Sequence, residues 1–238
     1  VTDLRTPPVN DGDLYCERVR QYASERPLRR LNVLLAGCGW SAGPDLRSLD
    51  LGATELHVTG VDADTPALRA STEKRDDLDA WHLGDLRTVP MPPRAYDVVC
   101  AIHVVERLAH AELVLDRIVA ALKPGGLLLV AFRDRDTAYG LLDRFIPSRV
   151  RGLQHAPPVV YEKIASYEGM RWYCGMRGLV IAEEHTVRSA QPGYGRWNRV
   201  IGAAAGLVEK VSGGRLTARH SDVSLVIRKP ENRFARVI

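Results

Sequence analysis

A chain of 238 residues with ordinary apolar content has room for one domain, or one domain carrying an insertion. Its formal net charge of +4 is spread without a basic stripe interleaved with aromatics, so nucleic acid is not expected as a partner. No apolar run reaches the roughly 18 residues of a membrane span, and four cysteines without a CxxC pair argue against structural zinc and a disulfide framework.

The first segment, Val1 to Asp11, reads as a loose arm, and Gly12 to Glu25 as a helix with Leu14, Val19 and Tyr22 on one stripe. Residues 1–31 hold no apolar signal core, so a cytoplasmic protein is expected. Leu31 to Ala36 then forms an apolar run of the kind a buried parallel strand needs. It breaks into Gly37-Cys38-Gly39, where missing Cβ atoms allow a tight turn and close approach to a ligand. A helix over about Ala42 to Ser48 is expected next, its positive end aimed at that ligand.

A second strand, Glu55 to Val61, ends at Asp62. A carboxylate there, beside the glycine loop, can accept both hydroxyls of a ribose. Together the loop and the acid point to a nucleoside cofactor. Thr65 caps and Pro66 opens the following helix. Further elements are a short strand at Ala80 to Leu83, a strand at Tyr96 to Ile102, a helix at about Val104 to Leu122 and a strand at Leu127 to Phe132. Strands alternating with helices imply a parallel sheet with right-handed crossovers. Ligands then bind at the strands' carboxyl ends, where Gly37, Asp62, Asp85 and Ile102 fall.

Beyond Phe132 the pattern changes. Residues 133–160 are polar, proline-bearing and irregular, as in a lid. A helix is expected over Val159 to Met176, then strands at Gly178 to Val187 and Ser221 to Arg228. Between these strands, residues 188–219 form an insertion whose Arg196 to Val211 run has a broad aliphatic face. Residues 1–30 thus make an arm and helix, and 31–238 a single domain.

The ordered set Gly37-Cys38-Gly39, Asp62, Gly84-Asp85, Tyr96-Asp97-Val98-Val99, Val104-Val105-Glu106-Arg107-Leu108 and Leu122-Lys123-Pro124-Gly125-Gly126 resembles the class I S-adenosylmethionine-dependent methyltransferases. The resemblance covers about Asn32 to Phe132. It implies an α/β, Rossmann-like, doubly wound and mostly parallel seven-stranded sheet with an antiparallel last strand. It also implies that S-adenosylmethionine is the cofactor. In that frame Asp85 accepts from the adenine amino group, and Ala63 and Leu86 flank the ring. Gly37, Cys38, Gly39, Gly84, Ile102 and His103 complete the cofactor site. Two positions depart from the pattern: Leu35 stands where an acid is frequent, and Ser41 where a third glycine is. A spacing of Gly37, Gly39 and Gly43 also occurs in nicotinamide enzymes. An NAD(P)-dependent oxidoreductase and a non-catalytic cofactor-binding protein are the alternatives.

Methyl transfer rests on holding the acceptor against the methyl group. A base helps when the acceptor is a hydroxyl. His103, directly after the fourth strand, and His155, in the lid, are the candidate catalytic residues, with Tyr161 a further lid residue that can face substrate. Asp97 is assigned to structure, and Glu106 to helix-dipole and packing roles. No metal site is expected, since no His/Cys/Asp grouping has ligand spacing. A small-molecule or lipid-linked acceptor is expected, with peripheral membrane contact through residues 196–211 or a homodimer contact on the same face.

Overall fold

The computed structural model describes residues 11–41, 43–145, 159–187 and 198–231. Seven strands form one sheet in the order β3-β2-β1-β4-β5-β7-β6. They are β1 (Arg30–Ala36), β2 (Glu55–Asp62), β3 (Ala80–Leu83), β4 (Tyr96–Ile102), β5 (Leu122–Arg133), β6 (Val180–Val187) and β7 (Asp222–Arg228). The first five run parallel, and β7 lies antiparallel between β5 and β6. The expected fold class is the observed one.

The central strands read as unbroken apolar runs because both of their faces are buried. Successive side chains alternate between two cores. Val33, Leu35, Val98, Cys100, Leu127 and Leu129 face one core, shared with Leu14, Tyr15, Val19 and Tyr22 of α1 (Asp11–Ser24). Leu34, Ala36, Val99, Ala101, Leu128 and Val130 face the other, with α3 (Ala111–Ala121) and α5 (Tyr167–Arg177). Each fully buried aliphatic side chain contributes about 1.5–3 kcal/mol. Tyr15 also donates its hydroxyl to the Val130 carbonyl at 2.8 Å, tying α1 across to β5.

α2 (Pro66–Thr72) starts as expected. Pro66 opens it, and Thr65 Oγ1 accepts from the Leu68 N–H at 3.3 Å. The helix expected over Ala42–Ser48 does not form: residues 43–50 are irregular, and Ala42 lies outside the described residues. Gly43 sits at φ +72°, its N–H is taken by Ser41 Oγ at 3.2 Å, and Pro44 supplies no N–H. Arg75 Nη1 gathers the Cys38 and Ser41 carbonyls at 2.8 and 2.9 Å, which fixes the loop in its open path.

The long helix expected from Val104 to Leu122 is broken. Residues 105–107 make one 3-10 turn, His110 takes φ +55°, and α3 begins at Ala111. The break is stabilised from a distance: the Glu162 carboxylate accepts from the His110 and Ala111 N–H groups at 2.6 and 2.9 Å. Helix Val159–Met176 is shortened likewise. Ser166 caps α5, its Oγ accepting from the Gly169 N–H at 3.0 Å, after a 3-10 turn at residues 163–165. β5 begins earlier than expected, at Leu122, which pairs with Tyr96.

The segment read as an irregular lid carries α4 (Ala138–Phe145), and Arg133, Asp134, Thr137, Ala138 and Asp143 in it are buried. α4 packs against α6 (Asn198–Val211), the helix of the insertion. No helix among the described residues is long and apolar enough to cross a membrane.

Candidate cofactor and acceptor site

The glycine loop hangs between the ends of β1 and β2. Gly37 N–H donates to the Val61 carbonyl at 2.8 Å, and the Trp40 and Ser41 N–H groups fold back onto the Gly37 carbonyl at 3.0 and 2.9 Å. At φ +81°, Gly37 is in left-handed backbone, and a Cβ on it would lie 2.1 Å from Val104 Cγ2. A Cβ on Gly39 would meet the Leu68 carbonyl oxygen at 2.8 Å. Neither position admits another residue without movement of the β4 loop or of α2.

Asp62 is buried at the tip of β2. Its Oδ2 accepts from the Gly39 and Trp40 N–H groups at 2.8 and 3.2 Å, and its Oδ1 from the Ala63 N–H at 2.7 Å. Burial raises its pKa; the three N–H donors and the Arg107 charge offset this only in part. The residue expected to meet a ribose therefore also latches the loop. Three of its roughly four acceptor positions are already used.

Gly84 joins the same corner, its N–H donating to the Asp62 carbonyl at 2.9 Å, and a Cβ there would meet open space. Leu86 is buried, and Ala63 and Ile102 are half-buried. Asp85 is exposed and gripped by Arg87, whose Nε lies 3.0 Å from both carboxylate oxygens. That hydrogen bond, with the Arg87 N–H, lowers the Asp85 pKa to about 2. Asp97 is structural: its Oδ2 accepts from the Asn32 N–H at 3.0 Å and Lys123 Nζ at 2.7 Å. Burial, then the nearby Asp62 charge, pushes the Cys38 thiol up to about 11, which suits a small filler and not a nucleophile.

The two departures have packing roles. Leu35 belongs to the α1-side core, and Ser41 holds the Gly43 turn and the Arg75 guanidinium. A cavity of about 380 Å³ opens beside the loop, lined by Gly39, Trp40, Ser41, Lys74, Arg75 and Asp77. It includes none of Asp62, Asp85 and His103.

The loop after β4 faces the loop after β1. Here His103 has φ +55° and donates its N–H to the Ala131 carbonyl at 2.7 Å. Its Nδ1 lies 3.2 Å from Glu106 Oε1, and its side chain is 25% exposed while that of Glu106 is 3% exposed. Burial opposes the imidazolium, but the hydrogen bond and charge of Glu106, helped by Asp222, win over it and raise the His103 pKa. Arg107 donates from Nε to the His103 carbonyl at 3.2 Å and stacks 4.0 Å over the Trp40 ring, bridging the two loops. Sequence reading missed both Trp40 and Arg107. The signal was an arginine in the motif helix and a tryptophan next to the glycines.

Behind His103 lies a buried polar chain. Arg133 donates to Asp143 at 2.9 Å and to Asp222 at 3.1 Å, and the Tyr161 hydroxyl donates to the same Asp143 oxygen at 3.0 Å. Tyr161 is thus buried, at φ +52°, and its burial and Asp143 raise its pKa. His155 lies outside the described residues. Among the described residues no grouping of three or more His, Cys, Asp or Glu could hold a metal ion.

A parallel sheet reversing at β1 and β4, with a glycine loop, a strand-end acid and a histidine at that switch point, defines a doubly wound protein that binds a nucleoside cofactor. Residues 34–130 match the family model described as methyltransferase domain. A probable S-adenosylmethionine-dependent methyltransferase of Mycolicibacterium smegmatis is 29% identical over 140 residues, 58% of this chain and 52% of that relative, so the chain spans about half of its length. A ubiquinone biosynthesis O-methyltransferase of Rhizobium etli is 26% identical over 195 residues, 74% of this chain and 72% of that protein. In fold, the chain is similar to the structure of loganic acid methyltransferase with SAH, at a TM-score of 0.58 and 14% identity, covering 93% of this chain and 94% of that one. Residues 34–130 are thus a methyltransferase domain, similar to those of the class I S-adenosylmethionine-dependent methyltransferases, whose cofactor is S-adenosylmethionine.

Proposed function

We propose that this chain transfers the methyl group of S-adenosylmethionine to a hydroxyl of a small, apolar or lipid-linked acceptor. The observation that carries the hydroxyl is the partly exposed His103 ring, paired to buried Glu106 one loop away from the glycine turn. The name of the Rhizobium etli relative, an O-methyltransferase, supports it. The residues fit the cofactor's chemistry: Asp62 and Asp85 are acceptors at strand ends, with Ala63, Leu86 and Ile102 as apolar neighbours. Asp62 accepts a hydrogen bond from a ribose hydroxyl at its one remaining acceptor position, and Gly37 and Gly39 keep the loop close. The cofactor supplies an electrophilic methyl group on a sulfonium. His103 takes the acceptor's proton, and positioning does most of the rest.

Titration calorimetry with S-adenosylhomocysteine and with NADPH tests the cofactor. Binding of the first and not the second is expected; tight NADPH binding with no response to S-adenosylhomocysteine would sink the reading. Labelled methyl transfer to hydroxylated aromatics with and without a prenyl tail tests the acceptor. Binding without transfer to any of them would favour the non-catalytic alternative.

α6 supports an apolar acceptor. Val200, Leu207 and Val211 are exposed on it, Phe145 is exposed at the end of neighbouring α4, and Arg144 and Lys210 stand close by in sequence. Such a face can lie among lipid headgroups. The chain is expected to sediment with anionic liposomes at low salt, and Leu207→Ser to weaken this several-fold. No sedimentation, with a concentration-dependent dimer instead, would make the face a subunit contact.

A further inference from the structure

The pairing at the end of β4 extends beyond a single histidine. We propose that Glu106 is the positioning residue that holds His103 as proton acceptor for the acceptor hydroxyl, an inference that rests on the methyl-transfer reading above.

The geometry is fixed from several directions. The Glu106 carbonyl accepts from the Val160 and Tyr161 N–H groups at 2.8 and 3.0 Å, so the 3-10 turn is tied to the segment that follows 158. The Glu106 side chain is buried, with Oε1 against His103 Nδ1 and Oε2 buried without a hydrogen-bond partner among the described residues. A buried carboxylate left so poorly matched is costly unless something else uses its charge. His103 in turn leaves the strand through left-handed backbone, at φ +55°, a strained conformation for a side-chain-bearing residue. Strain and an under-matched buried charge on two residues in contact point to a function and not to stability.

The arrangement selects one tautomer. With Nδ1–H donating to the Glu106 carboxylate, Nε2 on the opposite edge of the ring is left as the acceptor. The charged groups around the ring are Glu106 itself, Arg107 on the His103 carbonyl, Asp222 of β7 and Arg133 of β5, and Tyr161 faces Glu106. Arg133 is matched by both Asp143 and Asp222, so it leaves Glu106 free to balance the imidazolium. In the transfer the acceptor O–H bond breaks and its proton goes to Nε2. The oxygen's electron pair bonds the methyl carbon, and the sulfur–carbon pair returns to sulfur. The positive charge lost by the sulfonium reappears on His103, next to Glu106.

The test follows the ring directly. The His103 Cε1–H signal, assigned by its loss in His103→Ala, is titrated by NMR in the wild type and in Glu106→Gln. The wild-type ring is expected to titrate above the ordinary value of about 6.5, and Glu106→Gln to titrate about one pH unit lower or more. With an acceptor that is turned over, the acid limb of the kcat profile should move down by the same amount. The plateau should fall about 10–100-fold, with S-adenosylhomocysteine affinity changed less than twofold. Glu106→Asp should recover part of both effects, and it serves in place of the glutamine variant should that one fail to fold. An unchanged His103 titration in Glu106→Gln overturns the proposal, as does a moved titration with unchanged kcat in both Glu106→Gln and His103→Ala. Either result leaves the cofactor reading standing, since that is decided separately by S-adenosylhomocysteine binding.

Discussion

Arg133→Met is expected to destabilise the chain by about 3–5 kcal/mol, the usual cost of removing one member of a buried ionic cluster. Arg133 is 1% exposed and lies between Asp143 and Asp222, themselves 4% and 0% exposed. Methionine fills much of the same volume, so the loss comes from two buried carboxylates without their cation. Urea unfolding measures the loss. Adding Asp143→Asn and Asp222→Asn to Arg133→Met should recover a large part of the loss. A triple variant no more stable than the single one would show that the arginine acts through packing and not through charge.

Asp62→Ala is expected to weaken S-adenosylhomocysteine binding by roughly 2–4 kcal/mol, since hydrogen bonds to a charged acceptor are worth about 1.5–3 kcal/mol each and act together here. Two losses combine: the ribose acceptor, and the latch on the Gly39 and Trp40 N–H groups. Asp62→Asn separates them. Its amide oxygen can still accept from the loop, so it should keep the loop's stability better than alanine while losing most of the affinity. Calorimetry against thermal unfolding gives both quantities. An alanine variant with wild-type affinity would remove Asp62 from the cofactor site, whatever it does for the loop.

Much of the frame was legible in the chain because it rests on local signals. β1, β2 and β4 are runs whose inner positions, buried on both faces, demand apolar residues, and the limits of all four of the first strands fell within a residue of expectation. Thr65-Pro66 is a helix start written in two adjacent residues. The glycine loop and Asp62 could be placed at neighbouring strand ends because parallel strands put their carboxyl ends together.

Other features depended on partners far along the chain. Nothing near Ala42 to Ser48 shows that Arg75, over thirty residues on, will hold the loop's carbonyls and keep it from coiling. The break before α3 needs Glu162, more than fifty residues away. The apparent polar lid turned inward because Arg133 found Asp143 across one helix and Asp222 across 89 residues of sequence.

The amino-acid sequence by itself determined the sheet, the glycine turn and the acid beside it, since strand burial, missing Cβ atoms and helix caps act over a few residues. Only the tertiary structure decided that Asp62 latches the loop, that Trp40 and Arg107 bridge it to β4, and that Glu106 grips His103 from a buried position. Hydrogen bonds and ion pairs of buried groups are set by which loops the fold brings within about 3 Å, and a linear pattern does not carry that distance.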